Sequence, residues 1–367
     1  MQQMSGRAGA VLQIDLQAIR DNYALLCAQL GPARCGAAVK ADAYGLGAVP
    51  IAKALYQQGC RHFFVAHLEE AIALRAHLPA AAALIVMHGA PVGYEAEFLE
   101  YQCTPVLNSL EQMQAWQTLA LVQQRALAAI VQVDTGMARM GLSATEVTRC
   151  SSDAALWSGI TVTHLMSHLA CAEDQSHPMN HEQLARFTAL RKIFPHSLAT
   201  LANSSGIFLG SDFHFDLARP GAALYGVAPI AGAPNPMRAV VSLQGRIIQT
   251  RDISAGTGVG YGLSWQATES TRIATVAVGY ADGWLRSLSN RGLAYINDVA
   301  VNIVGKVSMD TITLDVTHIA PEYLVAGALV DLISPTHTVD HVAATAQTIA
   351  YEILTSLGQR YARHYTN

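Results

Sequence analysis

Residues 37–47 read AAVKADAYGLG. Three small apolar residues run into Lys40, and the chain then passes through Tyr44, Gly45 and Gly47, where backbone can turn freely. A short apolar run closed by turn residues is the signature of a strand buried on both faces of a parallel sheet. Seven more such runs follow it: FFVAH near 63, ALIVM near 83, TPVL near 104, AIVQVD near 129, TVTHLMSH near 161, ATLANS near 199 and FDLARP near 215. Amphipathic stretches such as LEEAIALRAHL (68–78) and HEQLARFTALRKIF (181–194) lie between them. Alternation of this kind from Gly36 to about Pro220 predicts eight βα units closed into a (β/α)8 TIM barrel.

After Pro236 the texture changes to alternating strand-like runs separated by turn residues: AVVSLQGRIIQT, RIATVAVGY, AYINDVAVNIVG, ITLDVT and ALVDLIS. This predicts a separate, mostly β-strand domain. The expected division is therefore a barrel over 11–235 and a C-terminal β domain over 236–367, with the N-terminal segment 1–15 free to be recruited by the second. One closing helix is expected from Val339 to Leu357, stopped by Gly358.

Composition narrows the partners. Charged residues are 14% of the 367 and apolar residues 51%, against a usual charged share of about a quarter. So much apolar surface predicts an oligomer. A formal net charge of −4 and the absence of any Lys/Arg run argue against nucleic acid. The start, MQQMSGRAGAVLQIDL, lacks the basic lead and apolar core of a secretory signal, and the longest apolar run, Ala80 to Met87, is far short of the roughly 20 residues that span a bilayer. Neither export nor a membrane is indicated, and a cytoplasmic setting is expected. The six cysteines (Cys27, Cys35, Cys60, Cys103, Cys150 and Cys171) form no CxxC pair and read as reduced thiols.

In such barrels the chemistry sits at the C-terminal ends of the strands. There the chain places Lys40, Arg139, His168, the trio Asn203, Ser204 and Ser205, and Arg219. An ammonium coming off an apolar strand is costly unless it is paired or neutralised; a covalent Schiff base resolves the conflict, and so does an ordinary salt bridge. ANSSG (202–206) and ARPGAALYG (218–226) offer hydroxyls and backbone N–H groups where this fold often binds phosphate, although each alone describes a plain turn. Arg219, between Leu217 and Pro220, needs a partner such as a ring nitrogen or a carboxylate. His168 forms an HxxxH pair with His164, but on a strand that spacing is two pleats apart, so no metal site is expected; a core or ring-stacking histidine fits better. GTGVGYG (256–262) departs from GxGxxG and lies in the β domain, which excludes a dinucleotide site. Its Tyr261 is either a phenol presented on a loop or a surface side chain.

The ordered blocks together resemble the alanine racemases over nearly the whole chain: AVKADAYGLG (38–47), VDTGMARMG (133–141), LMSHLACAED (165–174), LANSSG (201–206), RPGAALYG (219–226), VGYGLSW (259–265), VGYADGWLR (278–286), VGKVSMD (304–310) and IAYEIL (349–354). The resemblance implies a pyridoxal-phosphate-dependent homodimer that interconverts L- and D-alanine by two-base proton transfer, each active site being shared between the two chains. It implies that Lys40 forms the Schiff base with the cofactor and that Tyr44, Ser204, Gly221, Ala222 and Tyr351 hold the phosphate. His168 would pack against the pyridine ring, Arg219 would face its nitrogen, and Arg139 would orient the cofactor phenolic oxygen and the substrate carboxylate. Tyr261 would come from the second chain as the second base, with Tyr280 and Met309 of that chain lining the entrance and the carboxylate site. Two positions depart from the family pattern. Gln132 stands where many relatives have a lysine, often carbamylated, and Lys306 replaces a common arginine. Rival readings are a serine or broad-specificity racemase, a non-catalytic carrier of the cofactor, and a related decarboxylase of basic amino acids.

Overall fold

A computed structural model describes residues 7–367. The contacts divide them into two compact units: Ile19–Arg238, and the described part of Met1–Ala18 together with Ala239–Asn367.

The first unit is the barrel. Seven strands, Ala37–Ala38, His62–Val65, Ala83–Val86, Cys103–Leu107, Leu127–Gln132, Ile160–Met166 and Leu198–Thr200, pair in parallel, each with the next in sequence. The eighth, Leu217–Ala218, pairs with Arg34–Cys35. It closes the ring on both sides: Asp216 N–H donates to Ala199 C=O at 3.0 Å, and Gly36 N–H donates to Ala218 C=O at 2.9 Å. Phe63 and Phe64 are both fully buried, which is why their strand reads as a continuous apolar run and does not alternate. Ala38, Phe64, Ile85, Val106, Ile130, Met166 and Leu217, one from each of seven strands, form one core cluster. Only glycine fits at position 36, between Arg34–Cys35 and Ala37–Ala38, because a Cβ there would lie 2.9 Å from the Phe64 ring. Helix starts follow local chemistry: Ser143 and Glu146 form a capping box ahead of Ala144–Ser152, satisfying N–H groups that the helix itself cannot.

The second unit is built on the long strand Val241–Ile253. It pairs antiparallel with Ala10–Asp15, Leu329–Ile333 and Thr271–Val276, and the last of these carries Ile312–Asp315. Leu293–Ile296 and Val299–Asn302 form a hairpin whose turn residues, Asn297 and Asp298, have φ of 48° and 64°, as a tight two-residue hairpin requires. Of the segment 1–15, Ala10–Asp15 joins this sheet, also pairing in parallel with Ala362–Thr366; residues 1–6 lie outside the described residues. The single helix expected over Val339–Leu357 is instead two, Val339–Ala346 and Ala350–Ser356. Gln347 takes a left-handed φ of 60° and ends the first, a job usually left to glycine, so nothing in the residue types announced the break. Thr348 Oγ1 donates to the carboxylate of Glu352 in the first turn of the second helix.

His164, 8% exposed, leaves Nε2 without a partner and meets the edge of His62 at 6.4 Å. Burial, and then the nearby His62, push it down from 6.5 to about 4. The unfolded chain therefore binds more protons between those two values, and stability held above pH 6.5 is lost as pH falls through that window. Unfolding free energies from urea titrations are expected to fall between pH 7 and pH 5 by about 2 kcal/mol from this group, and a His164→Gln variant should flatten the slope. Parallel profiles for the two proteins would remove His164 as the cause.

Candidate active site

Lys40 ends the first barrel strand and opens an unusual turn. Ala41, Asp42, Ala43 and Tyr44 have φ of 52–56° with positive ψ, a left-handed helical turn made without glycine. Each such residue costs roughly 1–2 kcal/mol, so the surroundings must impose it. Ala43 N–H donates to Val39 C=O at 2.9 Å and Gly47 N–H to Asp42 C=O at 2.8 Å. The Glu70 carboxylate accepts from Ala41 N–H at 2.5 Å and Ala66 N–H at 2.7 Å. The turn anchors Lys40 at the strand end and swings Tyr44 into the interior, where it is 7% exposed and lies 4.7 Å from the Tyr225 ring.

Lys40 faces a cavity of about 320 Å3 lined also by Arg139, His168, Arg219, His88, Gln132 and three methionines, Met87, Met140 and Met166. Burial, and next the Arg139 cation, push the Lys40 amine below the usual lysine range, with Glu70 opposing. Arg219 is 5% exposed. Its hydrogen bonds go to neutral acceptors: Thr200 Oγ1 at 2.6 Å, Ser167 C=O at 2.6 Å, Leu201 C=O at 3.5 Å and His168 Nδ1 at 3.3 Å. Burial lowers it to about 9, which leaves it cationic at neutral pH. Burial, and then the Arg219, Arg139 and Lys40 cations, push His168 down to about 3. A neutral His168 that accepts at Nδ1 from a guanidinium, which can only donate, carries its proton on Nε2.

A second cluster adjoins the strand that bears Arg219. Ser204 Oγ accepts from Gly221 N–H at 2.9 Å and Ala223 N–H at 3.1 Å, while the Ala222 N–H has no partner among the described residues. A Cβ on Gly221 would collide with Tyr44 Oη, so only glycine lets the phenol reach this backbone. The Ala222 N–H, the Ser204 hydroxyl proton and the Tyr44 phenol make a cradle for an oxyanion.

The structure thus gathers Lys40, Arg139, His168 and Arg219 around one cavity and Tyr44, Ser204, Gly221 and Ala222 into one cradle. Tyr261, Tyr280, Met309 and Tyr351 belong to the second unit and are 68%, 40%, 54% and 39% exposed. Tyr280 and Met309 are neighbours there, since Tyr280 N–H donates to Ser308 C=O at 3.0 Å and Ala281 N–H to Met309 C=O at 2.9 Å. Tyr261 follows Gly260 and precedes Gly262, both with φ of 71°. A strand pair, Gly258–Val259 with Trp265–Gln266, flanks that turn, not the strand and helix of a dinucleotide site. Sequence reasoning missed Thr200 and the Ser167 carbonyl, which carry Arg219, and Glu70, which holds the turn after Lys40. Only the position of Thr200 inside the ATLANS strand hinted at any of them.

Two family models match the chain: "Alanine racemase, N-terminal domain" over residues 14–229 and "Alanine racemase, C-terminal domain" over residues 240–365. The chain is 49% identical over 364 residues to "Alanine racemase, catabolic" of Agrobacterium fabrum, covering 99% of this chain and 94% of that protein. It is 47% identical over 371 residues to "Alanine racemase" of Brucella abortus, covering 98% and 94%. Among solved structures it is similar to alanine racemase from Bartonella henselae with covalently bound pyridoxal phosphate, with a TM-score of 0.94, 44% identity and coverage of 98% and 100%. It is also similar to the biosynthetic alanine racemase of Pseudomonas aeruginosa, with a TM-score of 0.91, 32% identity and coverage of 98% and 100%.

Thr200→Val removes an acceptor from a buried guanidinium with little change of shape. Thermal unfolding is expected to show a loss of about 1–3 kcal/mol; an unchanged melting temperature would mean that Arg219 does not depend on this hydroxyl.

Proposed function

The chain belongs to the alanine racemase family, and on that premise we propose that Lys40 and Tyr261 are its two bases. The enzyme is an isomerase that interconverts L-alanine and D-alanine with pyridoxal phosphate as cofactor. What carries the assignment of residues is the cavity at Lys40. An amine of lowered basicity there shares space with a buried guanidinium that has no anionic partner among the described residues, beside a cradle shaped for an oxyanion.

These residues fit the cofactor. Lys40 would hold it covalently through Nζ, and Tyr44, Ser204, Gly221, Ala222 and Tyr351 would hold its phosphate. His168 would pack on the ring, Arg219 would face the ring nitrogen, and Arg139 would meet the phenolic oxygen and the substrate carboxylate. When bound, pyridoxal phosphate supplies an electron sink that makes the Cα–H of alanine acidic enough to leave near neutral pH. Lys40 Nζ, its neutral form favoured by burial and by Arg139, takes the proton from one face of Cα. The Tyr261 phenol delivers a proton to the opposite face, and the reverse reaction exchanges the two duties. Arg219, which can only donate, disfavours a proton on the atom it faces and so restrains side reactions.

Tyr261, Tyr280 and Met309 are assigned to a second copy of the chain, so that a homodimer shares its two sites. Their exposure, with Leu263 at 61% beside Tyr261, supports this, because large apolar side chains left in water suit burial by a partner. A cytoplasmic setting accords with six cysteines that remain thiols. Among the described residues no helix is long and apolar enough to cross a membrane.

In deuterated water the protein should racemise L-alanine and exchange its α-hydrogen. Lys40→Ala should abolish both, and Tyr261→Phe should lose racemisation by about a hundredfold or more while retaining exchange of one enantiomer. Racemisation at the original rate by the Tyr261 variant would end the two-base assignment. Gly221→Ala should displace the Tyr44 phenol and weaken cofactor binding about tenfold in equilibrium dialysis; unaltered affinity would remove the cradle from the site.

A further inference from the structure

Arg360 stands just ahead of the strand Ala362–Thr366 and reaches two loops at once. Its Nε lies 3.0 Å from Asp282 Oδ1, and its Nη1 donates to Asp310 Oδ1 at 2.7 Å. Asp282 ends the turn Tyr280–Asp282 and holds its shape: its other oxygen, Oδ2, accepts from Gly279 N–H at 2.9 Å, and its own N–H donates to Gly279 C=O at 3.0 Å. Asp310 is the residue after Met309. One guanidinium therefore joins the turn that begins with Tyr280 to the loop that carries Met309.

We propose that Arg360 is a positioning residue for the racemisation: by bridging Asp282 and Asp310 it fixes the separation of Tyr280 and Met309, and with it the fit of the substrate at the entrance they line. This role rests on the placing of those two residues at the substrate entrance.

The bridge is anchored in a buried charge. Asp282 is 4% exposed, whereas more than half of the Arg360 and Asp310 side chains is in water. A pair of exposed partners contributes little, but a buried carboxylate that loses its cation keeps the cost of leaving water. Without the guanidinium, two carboxylates would face the space it fills, and like charges repel. The backbone is fitted to bring Arg360 there. Gly358 N–H donates to Asp282 C=O at 2.9 Å, and Gly283, with φ of 91°, passes so near Ser356 C=O that a Cβ would collide with it. A cavity of about 250 Å3, lined in part by Asp282, Asp310, Thr311, Arg360 and Tyr361, adjoins the bridge, so ion pairs and not packed side chains span the loops on that side. The main chains are already joined through Tyr280 N–H to Ser308 C=O and Ala281 N–H to Met309 C=O. Arg360 adds a side-chain attachment at the other end of the turn, Asp282, and at the residue beyond Met309. A shift of Tyr280 or Met309 changes how the substrate binds more than how its proton moves, because Lys40 and Tyr261 stand on other segments.

Initial rates with L-alanine and L-serine, measured on the cofactor-loaded enzyme, test this. Arg360→Met is expected to raise KM for L-alanine about tenfold, to keep kcat within about twofold, and to raise the serine-to-alanine ratio of kcat/KM. Arg360→Lys keeps the charge and loses the planar fork, so it should recover part of the lost KM. Asp310→Asn breaks the same bridge from an exposed position and should raise KM about threefold; it decides the matter where Arg360→Met does not fold. Arg272→Met removes the guanidinium of a different ion pair in the same unit, that with Asp252, and should leave KM as it was. An equal rise in the Arg272 variant, a loss confined to kcat, or an unaltered KM in both Arg360→Met and Asp310→Asn would overturn the positioning role. Tyr280→Ala and Met309→Ala separate that failure from failure of the entrance itself. A KM altered by these two and untouched by Arg360→Met refutes the bridge alone, and a KM untouched by any of them refutes the entrance assignment with it.

Discussion

The active cavity is organised by a guanidinium that the barrel buries without giving it a carboxylate. Removing Arg219 from water costs several kcal/mol before any contact is counted, and among the described residues only neutral acceptors, Thr200, His168 and the Ser167 and Leu201 carbonyls, offset that cost. An acid placed there would neutralise the field; neutral acceptors preserve it. The preserved field reaches His168, held unprotonated far below the ordinary histidine range, and it fixes which ring nitrogen carries the proton. The cavity is therefore electropositive by construction, and a further positive charge beside Arg219 is disfavoured.

The seam of the barrel makes this burial possible. Arg219 follows the eighth strand, and that strand is short: Leu217–Ala218 pairs over two residues with Arg34–Cys35, while Arg219 N–H donates to Ala202 C=O at 2.9 Å. Across the seam the first strand is broken at Gly36 and runs on to Lys40, so both cationic side chains leave from the same closure. The left-handed turn after Lys40 then directs the chain back toward that seam, since Tyr44 ends against Tyr225 and the Gly221 backbone. Strain in Ala41–Tyr44, closure of the ring and assembly of the cradle are parts of one packing arrangement.

All eight barrel strands stood where mostly apolar runs are bounded by turn residues, because a strand covered on both faces buries most of its side chains. The residues at the strand ends were legible for the same reason: a lysine or arginine next to such a run has no cheap place to go. The left-handed turn was not legible. Ala41, Asp42, Ala43 and Tyr44 carry no sign of positive φ, and two of the groups that hold it, Glu70 and the Tyr225 ring against Tyr44, are distant in sequence. Gln347 hid the break between two helices in the same way, and Ala362–Thr366 is too short and too polar to read as a strand without its neighbour Ala10–Asp15. Periodicity encodes what an element buries; it does not encode constraints that arrive from elsewhere in the chain.

Gln132 shows how a neutral substitution changes the duty of a charged neighbour. Its side chain is 4% exposed and donates through Nε2 to Met140 C=O at 3.2 Å, so it steadies the loop that leads to Arg139 and leaves the guanidinium alone. Arg139 itself is exposed and makes no hydrogen bond or ion pair among the described residues. A lysine bearing a negative carbamate at position 132 would supply a fixed counter-charge; an amide supplies none. With no counter-charge from position 132, the exposed Arg139 is screened by solvent. Its field nonetheless acts inside the cavity, where it lowers both Lys40 and His168 after the larger effect of burial.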